Sequence, residues 1–317
     1  MQPSETVNPI DPAYRARLDP EYIALYDSDY ADHIDSMETS LEEKRRVGLI
    51  YAGSGRAQEV ASIKDITAPG PHGPIPIKMY YPTKTAEEEA SAALLPILVH
   101  YRAFQSDLSL HLSTLKHLVA DTITIFLTKM AEAGRDLAED AALSAMYCNT
   151  AHCIVASVDY RLAPERFATK VTTSCQLHKS ASELGADSSR FAVGGESAGG
   201  NLSAVVSLMA RDADIKSIKE TYLLDKLDWR KDWRASPLLA PSLSNLPPAL
   251  VSVAELDLLR DEGLAYAMRL ANAGVDVTTL VYPKAPHVFY ALDEAMAVGR
   301  KFQADSSKAL RTAFWGA

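Results

Sequence analysis

The sequence contains few cysteines and few glycines, and both shortages exclude classes of protein. Fifteen glycines and 17 prolines among 317 residues exclude a collagen-like or low-complexity chain. The three cysteines are an odd number, and the interval between Cys148 and Cys153 fits neither a zinc site nor a redox pair. We therefore predict that the cysteines are buried small hydrophobic side chains in a reducing compartment.

Positive charge and long apolar runs are also scarce. The chain has 32 Lys and Arg against 41 Asp and Glu, a formal net charge of −9, which argues against a nucleic-acid partner because phosphate binding needs a basic surface. It has no run of about 18 apolar residues that could cross a membrane, and its first residues lack the basic and apolar regions of a secretory signal. With 47% hydrophobic residues, the composition favours a cytoplasmic, enzyme-sized globular domain.

Short apolar runs indicate an α/β sheet. Two β-rich runs at 60–66 and 75–81 flank the turn sequence PGPHGP and predict an antiparallel hairpin. Further runs without polar alternation, typical of parallel strands buried on both faces, lie at 96–100, 153–158, 191–193, 249–253 and 277–281. The clearest helical stretches are 199–211, 262–273 and 291–312. We predict a doubly wound, mostly parallel sheet in a single domain over 51–317, preceded by a helical lead-in or cap segment over 1–50.

A glycine-rich turn between two of these elements predicts a nucleophile. Residues 194–200 read GGESAGG, which places Ser197 in the pattern G-x-S-x-G between a predicted strand and a predicted helix. The glycines let the chain turn sharply enough to expose the hydroxyl, and the helix directs its first N–H groups toward charge that develops near Ser197. We expect the N–H of Ala198 to be the first oxyanion donor. The phosphate-binding patterns G-x-G-x-x-G and GK[ST] are absent at this turn.

The acid and the base that activate a serine are expected later in the chain, in the order Ser, Asp or Glu, His. His287 is the only histidine after Ser197 and is the predicted base. Four acids follow the run at 249–253, namely Glu255, Asp257, Asp261 and Glu262. The last two fit the first turn of the next helix, where the helix dipole favours acids, and we predict Asp257 as the orienting acid. No histidine spacing indicates a metal site.

Several motifs resemble the hormone-sensitive-lipase-like α/β hydrolases, the GDXG lipolytic enzymes. The similar stretches read VDYRLAPE at 158–165, GGESAGGN at 194–201, ASPLLA at 235–240, LPPA at 246–249 and LDLLRDEG at 256–263, with YP at 282–283 before His287. The resemblance implies hydrolysis of short-chain carboxylic esters of small molecules, without a cofactor, by Ser197, Asp257 and His287. The lead-in RLDPEY at 17–22 resembles fungal members that act in secondary metabolism, such as versiconal hemiacetal acetate esterase, which deacetylate polyketide intermediates.

The oxyanion loop departs from this family. Its members have a His-Gly-Gly-Gly run after the strand that here ends at His100, and the N–H groups of those glycines complete the oxyanion hole. This chain reads HYRAFQSD at 100–107 and has no glycine between Gly73 and Gly134. Losing one oxyanion donor costs about 10²–10³ in turnover. We expect reduced activity unless backbone amides of Tyr101 and Arg102 replace the missing donors.

Three explanations of the atypical insertion at 102–130 are open. It is a lid, since the leucines at 108, 112, 115 and 118 share one helical face; or it is translated non-coding sequence from an imperfect gene structure; or the chain is a catalytically impaired relative that only binds ligands. The segment 212–235 contains no convincing buried strand, so we also expect the sheet to lack one strand of the family. The predicted function is a serine carboxylesterase, and the alternative is a ligand-binding α/β-hydrolase relative.

Overall fold

An eight-stranded sheet organises the part of the chain that the computed structural model describes, which comprises residues 10–30, 57–70, 73–101, 125–127, 139–159, 169–212, 233 and 236–316. The strands are β1 (Ser62–Ala68), β2 (Ile75–Tyr81), β3 (Leu95–Tyr101), β4 (Ile125–Leu127), β5 (Ile154–Val158), β6 (Ala186–Glu196), β7 (Ala249–Ala254) and β8 (Val277–Tyr282). Each run predicted from the sequence overlaps one of these strands. The strand that was not predicted is β4.

The strand order is β1-β2-β5-β3-β6-β4-β7-β8. The hairpin of β1 and β2 is antiparallel, with Ile63 opposite Tyr80, and β2 also runs antiparallel to β5. All other neighbours in the described sheet are parallel. The predicted doubly wound, mostly parallel sheet with an antiparallel hairpin is therefore confirmed.

The place between β6 and β7 is filled by β4. Ile125 pairs with Gly195 on one side and with Val251 on the other. The expectation that the sheet lacks a strand here is therefore wrong, although the strand does not come from 212–235. A strand pairs with its neighbours through backbone N–H and C=O groups. Every segment of the chain carries these groups, so a segment distant in sequence can occupy the position. The rest of the insertion at 102–130, including the leucines of the predicted lid helix, lies outside the described residues.

The described residues also form eight α-helices. These are α1 (Pro12–Arg15), α2 (Pro20–Leu25), α3 (Ala86–Ala90), α4 (Glu139–Thr150), α5 (Thr169–Lys179), α6 (Ala198–Asp212), α7 (Arg260–Asn272) and α8 (Ala297–Trp315). The first two belong to the predicted lead-in, and each begins with a proline after an aspartate whose carboxylate accepts backbone N–H bonds, a favoured N-terminal pattern. The domain boundary near residue 50 stays a prediction.

Both faces of the sheet are covered by helices. Successive strand residues point to opposite faces, so Ile97 and Val99 pack in one core with Leu202 of α6, whereas Leu98 packs in the other core with Phe302 of α8. Every residue of β3 is buried. This two-sided burial explains why the central strands are apolar at nearly every position rather than alternating.

The two described cysteines are buried. Cys148 and Cys153 are buried free thiols. Burial raises the pKa of Cys148 to about 12 and also raises the pKa of Cys153, so both remain protonated at neutral pH, as expected of small hydrophobic side chains. Within the described ranges, no helix has the length and apolarity to cross a bilayer, and no three His, Cys, Asp or Glu residues are grouped to hold a metal ion.

Candidate active site

Ser197 is held in a left-handed backbone conformation. It lies between the end of β6 and the start of α6 with φ at +55°. Residues other than glycine rarely adopt this region, because the β-carbon crowds the backbone, and such strain persists only where the surrounding structure imposes it. A strained serine at a strand-to-helix turn is the geometry expected of a nucleophile.

The first turn of α6 presents backbone N–H groups beside Ser197. The N–H of Asn201 donates to the carbonyl of Ser197 at 3.1 Å, which is the first hydrogen bond of the helix. The N–H of Ala198 precedes it and therefore has no acceptor within the helix. This N–H lies at the positive end of the helix dipole, and its role as the first oxyanion donor stays a prediction.

Asp257 is a buried carboxylate on the loop after β7. Its side chain is 0% exposed. One carboxylate oxygen, Oδ1, accepts the N–H of Leu259 at 2.9 Å, and the Asp257 carbonyl accepts the N–H of Arg260 at 3.2 Å. The first bond orients the carboxylate, the second fixes the backbone of the loop, and the second carboxylate oxygen, Oδ2, faces the loop after β8.

His287 meets that oxygen. Its Nδ1 lies 3.3 Å from Oδ2 of Asp257, and its side chain is 17% exposed. A carboxylate only accepts hydrogen bonds, so Nδ1–H donates to Asp257 and the other ring nitrogen, Nε2, carries the lone pair of the neutral ring. The structure thus brings together the predicted acid and the predicted base.

Parallel strands place all three residues at one edge of the sheet. Ser197 directly follows β6, Asp257 follows β7 and His287 follows β8. Because β6, β4, β7 and β8 are mutually parallel neighbours, their carboxyl ends lie at the same edge. In open α/β sheets this edge is where ligands bind.

An aromatic cluster anchors the segment that follows His287. Phe289 and Tyr290 are buried in a short 3₁₀ turn, and their rings lie 5.5 and 5.7 Å from the ring of Phe302 in α8. Tyr282, the last residue of β8, packs 5.0 Å from Phe289. Buried aromatic pairs of this kind add about 0.5–1.5 kcal/mol beyond their area. The histidine loop is therefore fastened to the core at both of its ends.

The lead-in contacts the same two loops. The hydroxyl of Tyr14 donates to the carbonyl of Leu256 at 2.7 Å, one residue before Asp257. Burial raises the pKa of Tyr14, Arg17 lowers it and the Asp257 carboxylate raises it further. The N–H of Asp19 donates to the carbonyl of Lys284 at 3.2 Å. Helices α1 and α2 thus lie against the loops that carry Asp257 and His287.

A buried pair supports the nucleophile turn. Nε2 of His100 lies 2.9 and 3.0 Å from the two carboxylate oxygens of Glu196, and both side chains are 1% exposed. Glu196 directly precedes Ser197, and His100 is the penultimate residue of β3. The pair therefore ties the end of β3 to the turn that carries the serine.

A family comparison agrees with this arrangement. Residues 133–224 and 213–291 match a family model described as alpha/beta hydrolase fold, and these overlapping segments together span half of the 317 residues. The chain belongs to the α/β hydrolase family. The family predicted from the sequence motifs is confirmed.

Relatives of this α/β hydrolase cover much of its length. It is 28% identical to AB hydrolase superfamily protein C1039.03 of Schizosaccharomyces pombe over 98% of both chains. It is 33% identical to carboxylic ester hydrolase LipN of Mycobacterium tuberculosis, over 73% of this chain and 65% of LipN. It is 34% identical to ethyl acetate hydrolase of Pseudomonas putida, over 43% of this chain and 55% of that protein.

A solved structure shares the fold over nearly the whole chain. Ester hydrolase EH1AB1 from the metagenome of Lake Arreo, complexed with a bipyridine phosphonate derivative, has a TM-score of 0.70 and 27% identity, covering 95% of this chain and 100% of that one. The described sheet therefore shares its fold with a solved ester hydrolase.

Tyr101 and Arg102 are the two remaining predicted site residues. Tyr101 is the last residue of β3 and pairs with Gly195, so it belongs to the sheet and not to a loop beyond it. Its buried hydroxyl lies 2.6 Å from Oγ of Ser174. Arg102 lies outside the described residues. Their role as second oxyanion donors in this α/β hydrolase stays a prediction.

Sequence reasoning missed the residues that support the site. Glu196 stands inside the G-x-S-x-G motif, and its position next to Ser197 was a usable signal. Tyr14 carried none, because its partner Leu256 is 242 residues away and no pattern links the two. Glu255 was considered only as a rival of Asp257, and the structure places its carboxylate on the backbone of the histidine loop.

Proposed function

We propose that this α/β hydrolase is a serine carboxylesterase that hydrolyses short-chain esters of a small-molecule alcohol. The observation that carries the proposal is the contact between His287 and Asp257, at the sheet edge where Ser197 occupies its strained turn. Nucleophile, base and orienting acid follow three strands in the chain order expected of this fold.

The reaction follows from the chemistry of each group. Ser197 Oγ attacks the ester carbonyl while Nε2 of His287 takes its proton, and Asp257 stabilises the imidazolium through Nδ1–H. The imidazolium then protonates the leaving alcohol. Water, deprotonated by the same imidazole, attacks the acyl-enzyme, and the carboxylic acid leaves as Ser197 regains its proton.

Oxyanion stabilisation is assigned to backbone donors. The N–H of Ala198 is the first, supported by its place before the first hydrogen bond of α6. The amides of Tyr101 and Arg102 are the proposed second donors, in place of the glycines that the family carries there. With one effective donor, turnover would fall by about 10²–10³, so we propose that the activity is lower than that of relatives with a glycine loop.

The substrate class rests on the relatives. The similar proteins include a carboxylic ester hydrolase and an ethyl acetate hydrolase by name, which supports a small ester with an acetyl-like acyl group. A role in fungal secondary metabolism is proposed from the sequence resemblance of the lead-in alone. The cytoplasmic location stays a prediction.

The test compares hydrolysis of p-nitrophenyl acetate by the wild type and by Ser197→Ala. We expect at least about a 10³-fold loss of turnover, and a fluorophosphonate probe should add its mass to the peptide containing residue 197 in the wild type but not in Ser197→Ala. Ser189→Ala, in the amino-terminal half of β6, is the matched control and should keep both rate and labelling. A Ser197→Ala protein with the wild-type rate would refute the proposal.

The ligand-binding alternative is favoured by one observation, the absence of glycine after β3. It predicts that the folded wild type binds short esters without turning them over and is not labelled by the probe. The same experiment therefore separates the two functions, because a substantial rate abolished by Ser197→Ala excludes a protein that only binds.

A further inference from the structure

Glu255 is an acid beside the candidate site that takes no part in the proposed chemistry. It directly follows β7, two residues before Asp257. Its Oε2 accepts the backbone N–H of Lys284 at 2.7 Å, a short distance typical of charge-assisted hydrogen bonds. Lys284 lies three residues before His287, so the carboxylate of the acid loop binds the backbone of the histidine loop.

This bond is the side-chain member of a set that joins the two loops. The N–H of Glu255 donates to the carbonyl of Tyr282 at 2.9 Å, and the N–H of Leu256 donates to the carbonyl of Ala285 at 3.0 Å. The two backbone bonds hold the loops at a fixed separation. The Glu255 carboxylate reaches the peptide group that lies between them along the chain.

Lys284 needs such a partner because its backbone is strained. Its φ is +55°, and Val288, directly after His287, has φ +61°. Left-handed conformations cost residues with a β-carbon about 1 kcal/mol or more, most of all a β-branched valine. The imidazole is thus carried between two strained residues, and a hydrogen bond that holds the Lys284 N–H in place opposes relaxation of the loop.

The hydrogen bond between His287 and Asp257 would be lost if the histidine loop moved by a small distance. Nδ1 of His287 and Oδ2 of Asp257 are 3.3 Å apart, at the long end of the range for an N–H···O bond. A shift of about 1 Å in a catalytic group can cost about 10²-fold in rate. Relaxation of the histidine loop would therefore lower kcat more than it changes KM.

We propose that Glu255 is a positioning residue for His287. It keeps Lys284 in the left-handed conformation, and it thereby keeps the imidazole within reach of Asp257. This inference rests on the proposed function, since it assigns Glu255 to the same triad. This role requires an acceptor oxygen at the distance from the backbone that a glutamate side chain provides. A negative charge on a shorter side chain is insufficient.

The test uses two substitutions that separate reach from charge. Glu255→Gln keeps the length and an acceptor oxygen but removes the charge, and Glu255→Asp keeps the charge but shortens the side chain by one methylene. We expect Glu255→Gln to keep kcat for p-nitrophenyl acetate within about 3-fold. We expect Glu255→Asp to lose about 10–100-fold in kcat with KM changed by less than about 2-fold. Glu262→Gln, a neighbouring acid in the first turn of α7, is the control and should behave as the wild type.

A readout that does not use activity keeps the inference separate from the proposed function. In NMR spectra, the Nδ1–H proton of His287 bonded to a carboxylate should give a low-field resonance in the wild type and Glu255→Gln, and the resonance should be absent from Glu255→Asp. If the wild type is inactive but this pattern holds, the proposed function fails and the positioning role stands. If kcat and the resonance are the same in Glu255→Asp as in the wild type, or if Glu255→Gln loses as much as Glu255→Asp, the positioning role is overturned.

Discussion

The carbonyl oxygen of Tyr101 occupies the space where a side chain on Gly195 would begin. A β-carbon at Gly195 would overlap that oxygen and stand 2.8 Å from the carbonyl carbon of Gly199. Both neighbours are backbone atoms, one paired with Gly195 across β3 and β6 and the other in the first turn of α6. The strand, the turn and the helix can approach this closely only because residue 195 has no side chain.

Gly195→Ala should therefore damage the fold and the activity together. Since neither backbone neighbour can rotate away, we expect a loss of about 3 kcal/mol or more in the free energy of unfolding, measured by urea denaturation, with loss of esterase activity. Gly274→Ala is the control, because it has a φ of +82° but no atom within 4 Å of its β-carbon; it should cost about 1 kcal/mol and leave kcat unchanged. Equal stability of the Gly195→Ala protein and the wild type would contradict the structure of this turn.

Backbone strain at Ser197 predicts that a glycine at this position is more stable than an alanine. Glycine adopts φ of +55° without a penalty, whereas alanine keeps the β-carbon and its crowding. We expect Ser197→Gly to be more stable than Ser197→Ala by about 1 kcal/mol, while neither variant hydrolyses ester. Thermal unfolding of the two variants side by side checks this, and a less stable glycine variant would show that the turn is not strained.

The orientation of the imidazole predicts a strong effect of Asp257→Asn. An asparagine side chain can present its NH₂ group to Nδ1 and favour the wrong tautomer of His287, which costs about 10⁴ in kcat in comparable triads. We expect a loss of about 10³–10⁴ for p-nitrophenyl acetate. Asp261→Asn, whose side chain is 78% exposed and paired with Arg260, should stay within about 2-fold. Comparable losses of kcat in both variants would contradict the assignment of Asp257, rather than Asp261, as the acid that orients His287.

An ion pair at the far end of β6 predicts a pH dependence of stability. Hydrogen bonds from Ser189 and Arg190 lower the pKa of Asp187 from 3.8 to about 2. Between these values the unfolded chain takes up a proton that the folded protein does not, so the stabilisation is present above about pH 4 and is lost as the pH falls toward about 2. Because the pair is close to solvent, it is worth about 1 kcal/mol or less.

Asp187→Asn should accordingly be less stable than the wild type at neutral pH by up to about 1 kcal/mol. The difference should shrink as the pH is lowered from 5 to 3, measured by urea denaturation at each pH. Turnover should not change, because Asp187 lies at the edge of the sheet opposite to Ser197. A difference in stability that grows with acidification would contradict the assigned direction of the pKa shift.

Much of the fold and the outline of the site could be predicted from local patterns. The central strands were recognisable because burial on two faces makes them continuously apolar, as in residues 154–158. Ser197 was recognisable as a candidate nucleophile because such a residue requires glycines at fixed positions around it, and His287 as a candidate base because the triads of this fold follow a fixed order along the chain. Each of these signals lies in neighbouring residues or in chain order, both of which are properties of the sequence.

Strand β4 was beyond such reasoning. Three residues are too short to show a period, and residues 125–127 enter the sheet because β6 and β7 offer them parallel backbone partners. The pairing depends on chain segments more than 60 residues apart in sequence. The prediction of a missing strand failed because it looked for the strand only between Ser197 and Asp257.

By itself, the sequence determined the family, and it identified Ser197 and His287 as the candidate nucleophile and base, because a G-x-S-x-G turn, a single later histidine and a fixed chain order can all be read from neighbouring residues or residue order. The tertiary structure alone shows which partner each of the two nearest acids after β7 has. Glu255 and Asp257 are similar carboxylates two residues apart, and only the hydrogen bonds between the two loops direct one to Lys284 and the other to His287. Folding separates them because a side chain's partner depends on where its backbone is held, and distant residues set that position.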